Sequence, residues 1–462
     1  MSTRSASVVI PSTGRAEALK DALDALRRQD HPAFEVIVVV GPDDDGYDDA
    51  RADTPSEVRW LSCDRRNVAA ARNTALAWAA GDVIACIDDD AIADPWWLTD
   101  LDRAFDDPEI AACGGPVLDA SGIAFETRRR VVARSGVTRE APTTLAAPGG
   151  ICSPDSWLVP FPSTVNCAYR RSALLSAGGF DEGFALHLEG ADLALRLADL
   201  GWRLAQLPTG FVYHRALPTG ARDADGVTKD WSHILDGMFR FAHLHGLRPG
   251  CVARTWAEVS DRLDEIRREL SGHADRGAVD HGALARLERD IEAATDPPPA
   301  ARELAPVPGV PARQGNGATP LRAYPSWGRM ARQNAGERRH LCLVLEDDRQ
   351  RMAAERLARD LVTWGDVVRL IRRGPVTRVR ADKGVWYHDL AVPEGPGDGP
   401  DAFWAACRDE MSRIDRMHPL DEWSSATGGD EPADPGTSAR RWRERDGSAA
   451  PGGALWDPSA HP

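Results

Sequence analysis

The sequence predicts an α/β chain: a mostly parallel sheet flanked by helices, then a helical hairpin, then a second, smaller α/β fragment. Three observations predict it. Strand and helix signals alternate across residues 7–110, the rhythm of a parallel sheet with helices on both faces. The strand candidates are nearly unbroken apolar runs, and Glu35–Val40 (EVIVVV) is the clearest, as strands covered on both faces require. Beyond Trp231 the period becomes helical, and strand signals return only near residue 340.

Taken in order, Ser7–Pro11 is a β-branched run closed by a proline, and Arg15–Gln29 carries Ala18, Leu19, Ala22, Leu23 and Leu26 at helical spacing. After the EVIVVV strand come a polar loop, a short strand near Val58–Leu61, a helix over Asn67–Ala80 and a strand at Val83–Ile87. Residues 115–165 lack a clear period and are assigned to an acceptor cleft. Helices are expected over Arg171–Ala177 and Gly190–Leu200, with a turn at Gly178–Gly179. Trp256, Val259, Leu263, Ile266 and Leu270 form one stripe, and Leu284, Leu287 and Ile291 another, which reads as a helical hairpin. The second fragment has strands at LCLVLE, Val367–Ile371 and Gly384–His388, with a helix over Met352–Thr363. The resulting division is 1–250, a hairpin at 251–295, a proline-rich linker at 296–338, a small α/β fragment at 339–425 and a tail at 426–462 rich in Gly, Pro, Asp, Ser and Arg.

A chain of 462 residues is too long for one ordinary domain, and 42% hydrophobic residues suffice for a sizeable core. The formal net charge of -15 argues against nucleic acid as a partner, and against a chain held on an anionic membrane by charge alone. Eight scattered cysteines form no CxxC pair, so neither a zinc ribbon nor a dithiol redox site is expected; Cys86 and Cys167 read as small buried hydrophobes. A reducing cytoplasm is the natural compartment. The apolar run before Pro11 is too short for a signal peptide, and no stretch of ~18 apolar residues is present. The expected location is therefore cytoplasmic, with peripheral contact at the inner face of a membrane left open. The oligomeric state is left open too.

In parallel sheets ligands bind beyond the carboxyl ends of the strands, so chemistry is sought in the loops after Ile10, Val40 and Ile87. The strongest motif is GDVIACIDDDAIADPWWL, where a buried strand delivers Asp88, Asp89 and Asp90 at its carboxyl end. Two carboxylates one residue apart can grip a hard divalent cation that keeps open positions for diphosphate oxygens. Such a cation neutralises charge developing on a departing nucleoside diphosphate. An acidic turn solvated at a sheet edge is the plain alternative. Upstream, NVAAARNTAL puts Arg72 and Asn73 on the preceding helix, with Arg72 able to pair a phosphate or an aspartate. PSTGRAEAL offers a hydroxyl, a Gly turn and Arg15 at a helix start. GPDDDGYDD offers Asp43 or Asp45 to a base or ribose. Trp96, Trp97, Trp157 and Trp202 are candidates for stacking on a sugar, with packing the alternative.

Together, IPSTGR, EVIVVVGPDDD, NVAAARNTALAWAAGDVIACIDDDA and NCAYRRSALLSAGGFDEGF resemble family 2 glycosyltransferases of the GT-A fold, over about residues 5–220. The resemblance implies a nucleotide-sugar donor, transfer with inversion, and Mn²⁺ or Mg²⁺ holding the diphosphate at Asp88 and Asp90. Its first-loop donor contacts fall on Pro11, Ser12 and Arg15, with a base-contacting acid near Asp43; Arg72, Asn73 and Asp89 are read beside them as donor-binding residues. His214, in FVYHRALPTG, matches a histidine that approaches the metal or diphosphate. Where the family has Glu-Asp-x-Asp-Leu, this chain reads Glu189-Gly190-Ala191-Asp192, so the usual second acid is glycine. Glu189 is then the candidate base for the acceptor hydroxyl, and Asp192 supports the site or touches the acceptor. The acceptor class expected is a cell-envelope glycan or lipid-linked saccharide.

LCLVLEDD, ARDLVTWGDVVRLI and DKGVWYHDL resemble the start of family 4 glycosyltransferases over about residues 340–390. The glycine-rich loop expected there is replaced by Glu346–Gln350, and the half that would carry a donor site is missing. This truncated Rossmann-like fragment is expected to dock or to mediate assembly rather than to catalyse. Two other classes are carried alongside: a non-catalytic nucleotide-sugar-binding or scaffold protein, motivated by Gly190, and a sugar-phosphate nucleotidyltransferase. The latter wants a glycine-rich loop and a basic pair where IPSTGRAEAL has one Gly and one Arg.

Overall fold

The computed structural model describes residues 4–42, 45–141, 154–223, 226–280, 282–295, 321, 340–345, 351–363, 367–392, 400–418, 420 and 422–425. Asp43, Glu346–Gln350, nearly all of the proline-rich segment and the 426–462 tail lie outside them.

The chain begins β1 (Ala6–Ser12), α1 (Ala16–Leu26), β2 (Phe34–Val40), α2 (Asp48–Asp53), β3 (Arg59–Ser62), α3 (Val68–Trp78) and β4 (Val83–Ile87). Asn67 caps α3 by accepting from the Ala70 amide at 2.9 Å, which is why the helix starts one residue after the polar turn. There follow β5 (Ala91–Ala93), α4 (Trp97–Ala104), β6 (Ile110–Gly114), β7 (Val117–Leu118), β8 (Phe125–Thr127), β9 (Arg130–Ala133), β10 (Thr138–Glu140), β11 (Leu158–Pro160) and β12 (Asn166–Arg170). Then come α5 (Arg171–Ser176), α6 (Glu189–Asp199), β13 (Arg203–Gln206), β14 (Val212–His214), α7 (Ser232–Phe241), α8 (Val252–Asp275) and α9 (Ala283–Ala294).

The central sheet has the order β13-β6-β12-β4-β1-β2-β3. β4, β1, β2 and β3 are parallel neighbours, and β12 runs antiparallel between β4 and β6. All seven residues of β2 are buried, as its apolar run requires. Strand alternation divides the core in two: Val9, Ile37 and Val39 face the cluster shared with α3, α6 and α7, whereas Val8, Val36 and Val38 face the one shared with α1 and α4. Each such side chain contributes about 1.5–3 kcal/mol by leaving water. Val259, Leu263, Ile266 and Leu270 of α8 and Leu287 of α9 join the first cluster, so the hairpin packs on the sheet domain.

Residues 115–165, aperiodic in sequence, hold short strands. β9 pairs with β10 and β11, while β5, β14, β7 and β8 form a small four-stranded sheet. β12 escaped the sequence reading because NCAYR is short and mixes polar with apolar residues.

The C-terminal unit consists of β15 (His340–Leu345), α10 (Arg351–Thr363), β16 (Val367–Arg373), β17 (Arg378–Asp382), β18 (Val385–Leu390), α11 (Pro400–Met417) and β19 (Glu422–Ser425). Its sheet has the order β17-β18-β16-β15-β19, parallel except for the edge strand β17. β17 and α11 were not expected from sequence. The unit packs against the N-terminal domain through Val367, Val379, Ala381, Trp386 and Met417, which meet Ala25, Ile92, Leu118, Phe211 and Tyr213.

Candidate active site

β4 ends at Ile87, and the chain turns sharply through Asp88–Asp90 into β5. β14 pairs antiparallel with β5, placing His214 opposite Ala91 and next to the aspartates. Asp88, Asp90 and His214 each bring one ligand atom within a cluster no wider than 4.8 Å, a set of two carboxylates and an imidazole suited to a divalent cation. Asp88 is the half-buried lip of the set, its side chain 30% accessible against 1% for Asp90. Asp90 Oδ1 is buried and accepts no well-aligned hydrogen bond, with His214 Nε2 3.3 Å away. That under-satisfied oxygen and the donor chemistry fit a metal ion.

The triplet is held differently at each position. Burial pushes the Asp88 carboxyl up, with Arg72 opposing. Burial also pushes Asp89 up to about 6 against the Ser12 hydrogen bond and Arg15. Asp90 is held down to about 2 because His214, Arg15 and the Leu217 amide outweigh its burial. His214 is raised to about 10, since the carboxylates of Asp90 and Glu126 outweigh its own burial.

The first loop reaches the site through the aspartates. Ser12 Oγ donates to Asp89 Oδ2 at 2.6 Å, and the Tyr47 hydroxyl, 2.7 Å away, donates to Ser12 in turn. Arg15 Nη1 donates to Asp89 Oδ1 and Asp90 Oδ2, while Nη2 donates to the carbonyls of Leu217 and Pro218. Pro11 is the half-buried penultimate residue of β1, in register with Val39.

Arg72 is buried, with Nη1 donating to Glu189 Oε1 at 2.7 Å and Nη2 3.4 Å from Asp88 Oδ1. Its guanidinium thus lies between Glu189 and Asp88. Asn73 turns away from the aspartates: its amide donates to Phe180 O and Glu182 Oε1, and its oxygen accepts from the Phe180 amide. It braces the GGFDEGF turn, one helical step round from Arg72.

Glu189 opens α6 directly after Leu188, whose φ of 68° is left-handed. A non-glycine residue there carries strain of about 1–3 kcal/mol, typical of positions that aim functional groups. Thr164 Oγ1 also donates to Glu189 Oε1, at 3.1 Å. Gly190 is explained by packing: a Cβ there would sit 2.3 Å from Thr164 Cγ2. Asp192 is enclosed, Oδ1 2.8 Å from His245 Nε2 and Oδ2 accepting from Arg196.

The tryptophans are packed. Trp97 is fully buried and donates to Asn166 Oδ1; Trp157 donates to Glu258; Trp202 lies against the core; Trp96 stacks on His418. Sequence reasoning missed Glu126, Tyr47 and Thr164. Glu126 lies in the aperiodic stretch, Tyr47 in an acidic turn and Thr164 just before an unrecognised strand, where no spacing signals a site.

Residues 7–175 match the sequence profile of Glycosyl transferase family 2. The chain is 31% identical over 225 residues to a pre-mycofactocin glycosyltransferase of Mycobacterium tuberculosis, covering 46% of this chain and 43% of that protein. It is 29% identical over 111 residues to a glucosyl-dolichyl phosphate glucuronosyltransferase of Haloferax volcanii, covering 23% and 36%. The chain thus spans less than half the length of these curated relatives. Among solved structures, a mannosyltransferase from Pyrobaculum calidifontis in complex with GDP-Man and Mn²⁺ aligns with a TM-score of 0.39 at 19% identity, over 64% of this chain and 86% of that one. No helix among the described residues is long and apolar enough to cross a membrane. Residues 7–175, which include β4 and the Asp88–Asp90 turn that follows it, thus carry a glycosyltransferase domain of family 2.

Proposed function

We propose that this chain transfers a sugar from a nucleotide-sugar donor to an acceptor hydroxyl, with inversion. The observation that carries the reading is the convergence of Asp88, Asp90 and His214 at the carboxyl end of β4 in a family 2 domain. Those three residues would hold Mn²⁺ or Mg²⁺, which when bound neutralises the diphosphate as it departs. Ser12, Arg15 and Asp89 shape the donor side, with Pro11 beside them. Arg72 orients both Asp88 and Glu189. Glu189 is the group on this chain that takes the acceptor proton, and Asp192 holds α6 to the segment around His245. The acceptor is a saccharide, of a cell-envelope glycan or lipid-linked, and the enzyme works in the cytoplasm or at the inner face of the membrane. We divide the chain at 250, 295, 338 and 425, with catalysis in the first unit.

A thermal-shift screen with UDP-, GDP- and dTDP-sugars, with and without Mn²⁺, tests this. Stabilisation should need nucleotide and metal together, about 2.7 kcal/mol at a hundredfold excess over Kd, and should vanish in Asp90→Ala. No shift with any nucleotide would defeat the proposal. A second reading, donor binding without transfer, is favoured by Gly190 and by the engagement of Glu189 with Arg72 and Thr164. Normal donor binding with no transfer to any acceptor in a broad panel selects it.

A further inference from the structure

The small sheet β5-β14-β7-β8 is one layer thick, so alternate residues of a strand point to opposite faces. On β14, His214 faces the aspartates and Tyr213 faces the C-terminal unit, where it packs with Trp386 and Met417. On β5, Ile92 lies opposite Tyr213 and is covered by the same unit. The back of the metal-bearing sheet is therefore closed by residues far along the chain.

One guanidinium ties that back together. Arg369 of β16 is fully buried. Its Nη2 donates to Asp94 Oδ2 at 2.6 Å, its Nη1 to the Tyr213 hydroxyl at 3.3 Å, and its Nε to His340 Nε2 at 2.8 Å. Asp94 directly follows β5, the strand that Asp90 leads into, and Tyr213 directly precedes His214. Arg369 thus grips the two strands that present Asp90 and His214, from the side opposite the site. Backbone contacts fix the same interface: the Val379 amide donates to Ala120 O at 2.8 Å, and the Gly384 amide to Asp24 Oδ2 at 3.0 Å.

We infer that Arg369 is a positioning residue for the metal site: bridging Asp94 and Tyr213, it sets the spacing of β5 and β14 and so of Asp90 and His214. The C-terminal α/β unit is on this view a resident buttress of the transferase domain. The inference rests on the metal reading of the triad.

Its test uses the full chain and Mn²⁺ itself. Removing one buried charge alone leaves the other unpaired, so the informative variant is the double substitution Arg369→Met with Asp94→Asn, with Tyr213→Phe as the milder probe. Free Mn²⁺ is followed by its electron paramagnetic resonance, and folding by the urea midpoint. The double variant is expected to fold cooperatively and to bind Mn²⁺ about tenfold more weakly, as loss of a group that orients ligands does. Tyr213→Phe should move affinity in the same direction and leave the urea midpoint within error. An unchanged Mn²⁺ affinity in both folded variants overturns the positioning role and leaves the metal reading intact. Wild-type Mn²⁺ binding that survives Asp90→Asn undiminished overturns the metal reading and this inference with it.

Discussion

Glu126 Oε2 lies 2.6 Å from His214 Nδ1, while His214 Nε2 faces Asp90 3.3 Å away, so one imidazole is clamped between a carboxylate of β8 and one of the turn after β4. A carboxylate on the far nitrogen fixes the ring orientation of a metal-ligating histidine. Glu126→Ala should therefore weaken Mn²⁺ binding by about 10–100-fold. Its side chain is 38% exposed, so the melting temperature should barely move. Calorimetric titration with Mn²⁺ checks this; an unaltered Kd would show that Glu126 does not orient His214.

Asp90→Asn should abolish transfer. The amide keeps the volume that meets Arg15 and the Leu217 amide but lacks the charge that holds a cation. A loss of at least ~10²-fold in turnover, with a circular dichroism spectrum like the wild type, is the expected pair of results. Turnover near normal would remove Asp90 from the metal site.

Glu189 and Asp192 should separate cleanly. Glu189→Gln retains an acceptor for Thr164 and is expected to lower kcat by ~10²–10⁴ while Mn²⁺ binding persists, as removal of a general base does. Asp192→Asn breaks a buried arrangement with Arg196 and His245, so its effect should be on stability, about 3–5 kcal/mol, with turnover per folded molecule little changed. If kcat survives Glu189→Gln, the base lies elsewhere.

Restoring the family's second acid should not restore a conventional site. Gly190→Asp drives a Cβ against Thr164 Cγ2, and overpacking of this kind costs about 1–3 kcal/mol. Adding Thr164→Ser removes that methyl and keeps the hydroxyl for Glu189, so the double variant should regain part of the loss. Urea unfolding of the two variants settles whether Thr164 is the obstacle.

Acid should destabilise the chain through three buried carboxylates. Burial acts to raise Asp94, Asp192 and Glu410. It is outweighed by Arg369 and His418 for the first, Arg196 and His245 for the second, and Arg413 and His388 for the third. All three thus have folded-state values below the ordinary range. Such groups add stability that is fully present above the unfolded-state value, about 4, and is lost as pH falls through the folded one. Their contribution to the urea midpoint should hold from pH 7 to about 5 and fall steadily below that. Glu410→Gln should flatten the fall; a midpoint independent of pH down to 3 would contradict the linkage.

Much of the first unit was legible because its determinants are local. EVIVVV can be nothing but a doubly covered strand, and the observed β2 differs from it by one residue. The stripe of Leu263, Ile266 and Leu270 marks α8 for the same reason: burial follows the period of the element. The Asp88–Asp90 triplet was legible as a candidate site because it follows such a strand. β12 and β17 were not, since a short strand of mixed polarity takes its identity from neighbours rather than from its own pattern.

What the sequence alone determined, then, is the run of long elements, the strand end that carries the candidate site and the family that residues 7–175 match. Tertiary structure decided the rest. Glu126 meets His214 across 88 positions because β8 and β14 flank β7 in one sheet. Arg72, Asn73 and Asp192, alike as polar residues on helices, diverge because helical rotation points the first at Glu189 and Asp88 and the other two at structural partners. Arg369, unremarkable within VVRLIRR, becomes a tie between β16 and the segments next to Asp90 and His214 because the two sheets pack on each other. Periodicity records which face of an element is buried; it carries no record of what buries it, and that choice is made only when the elements assemble.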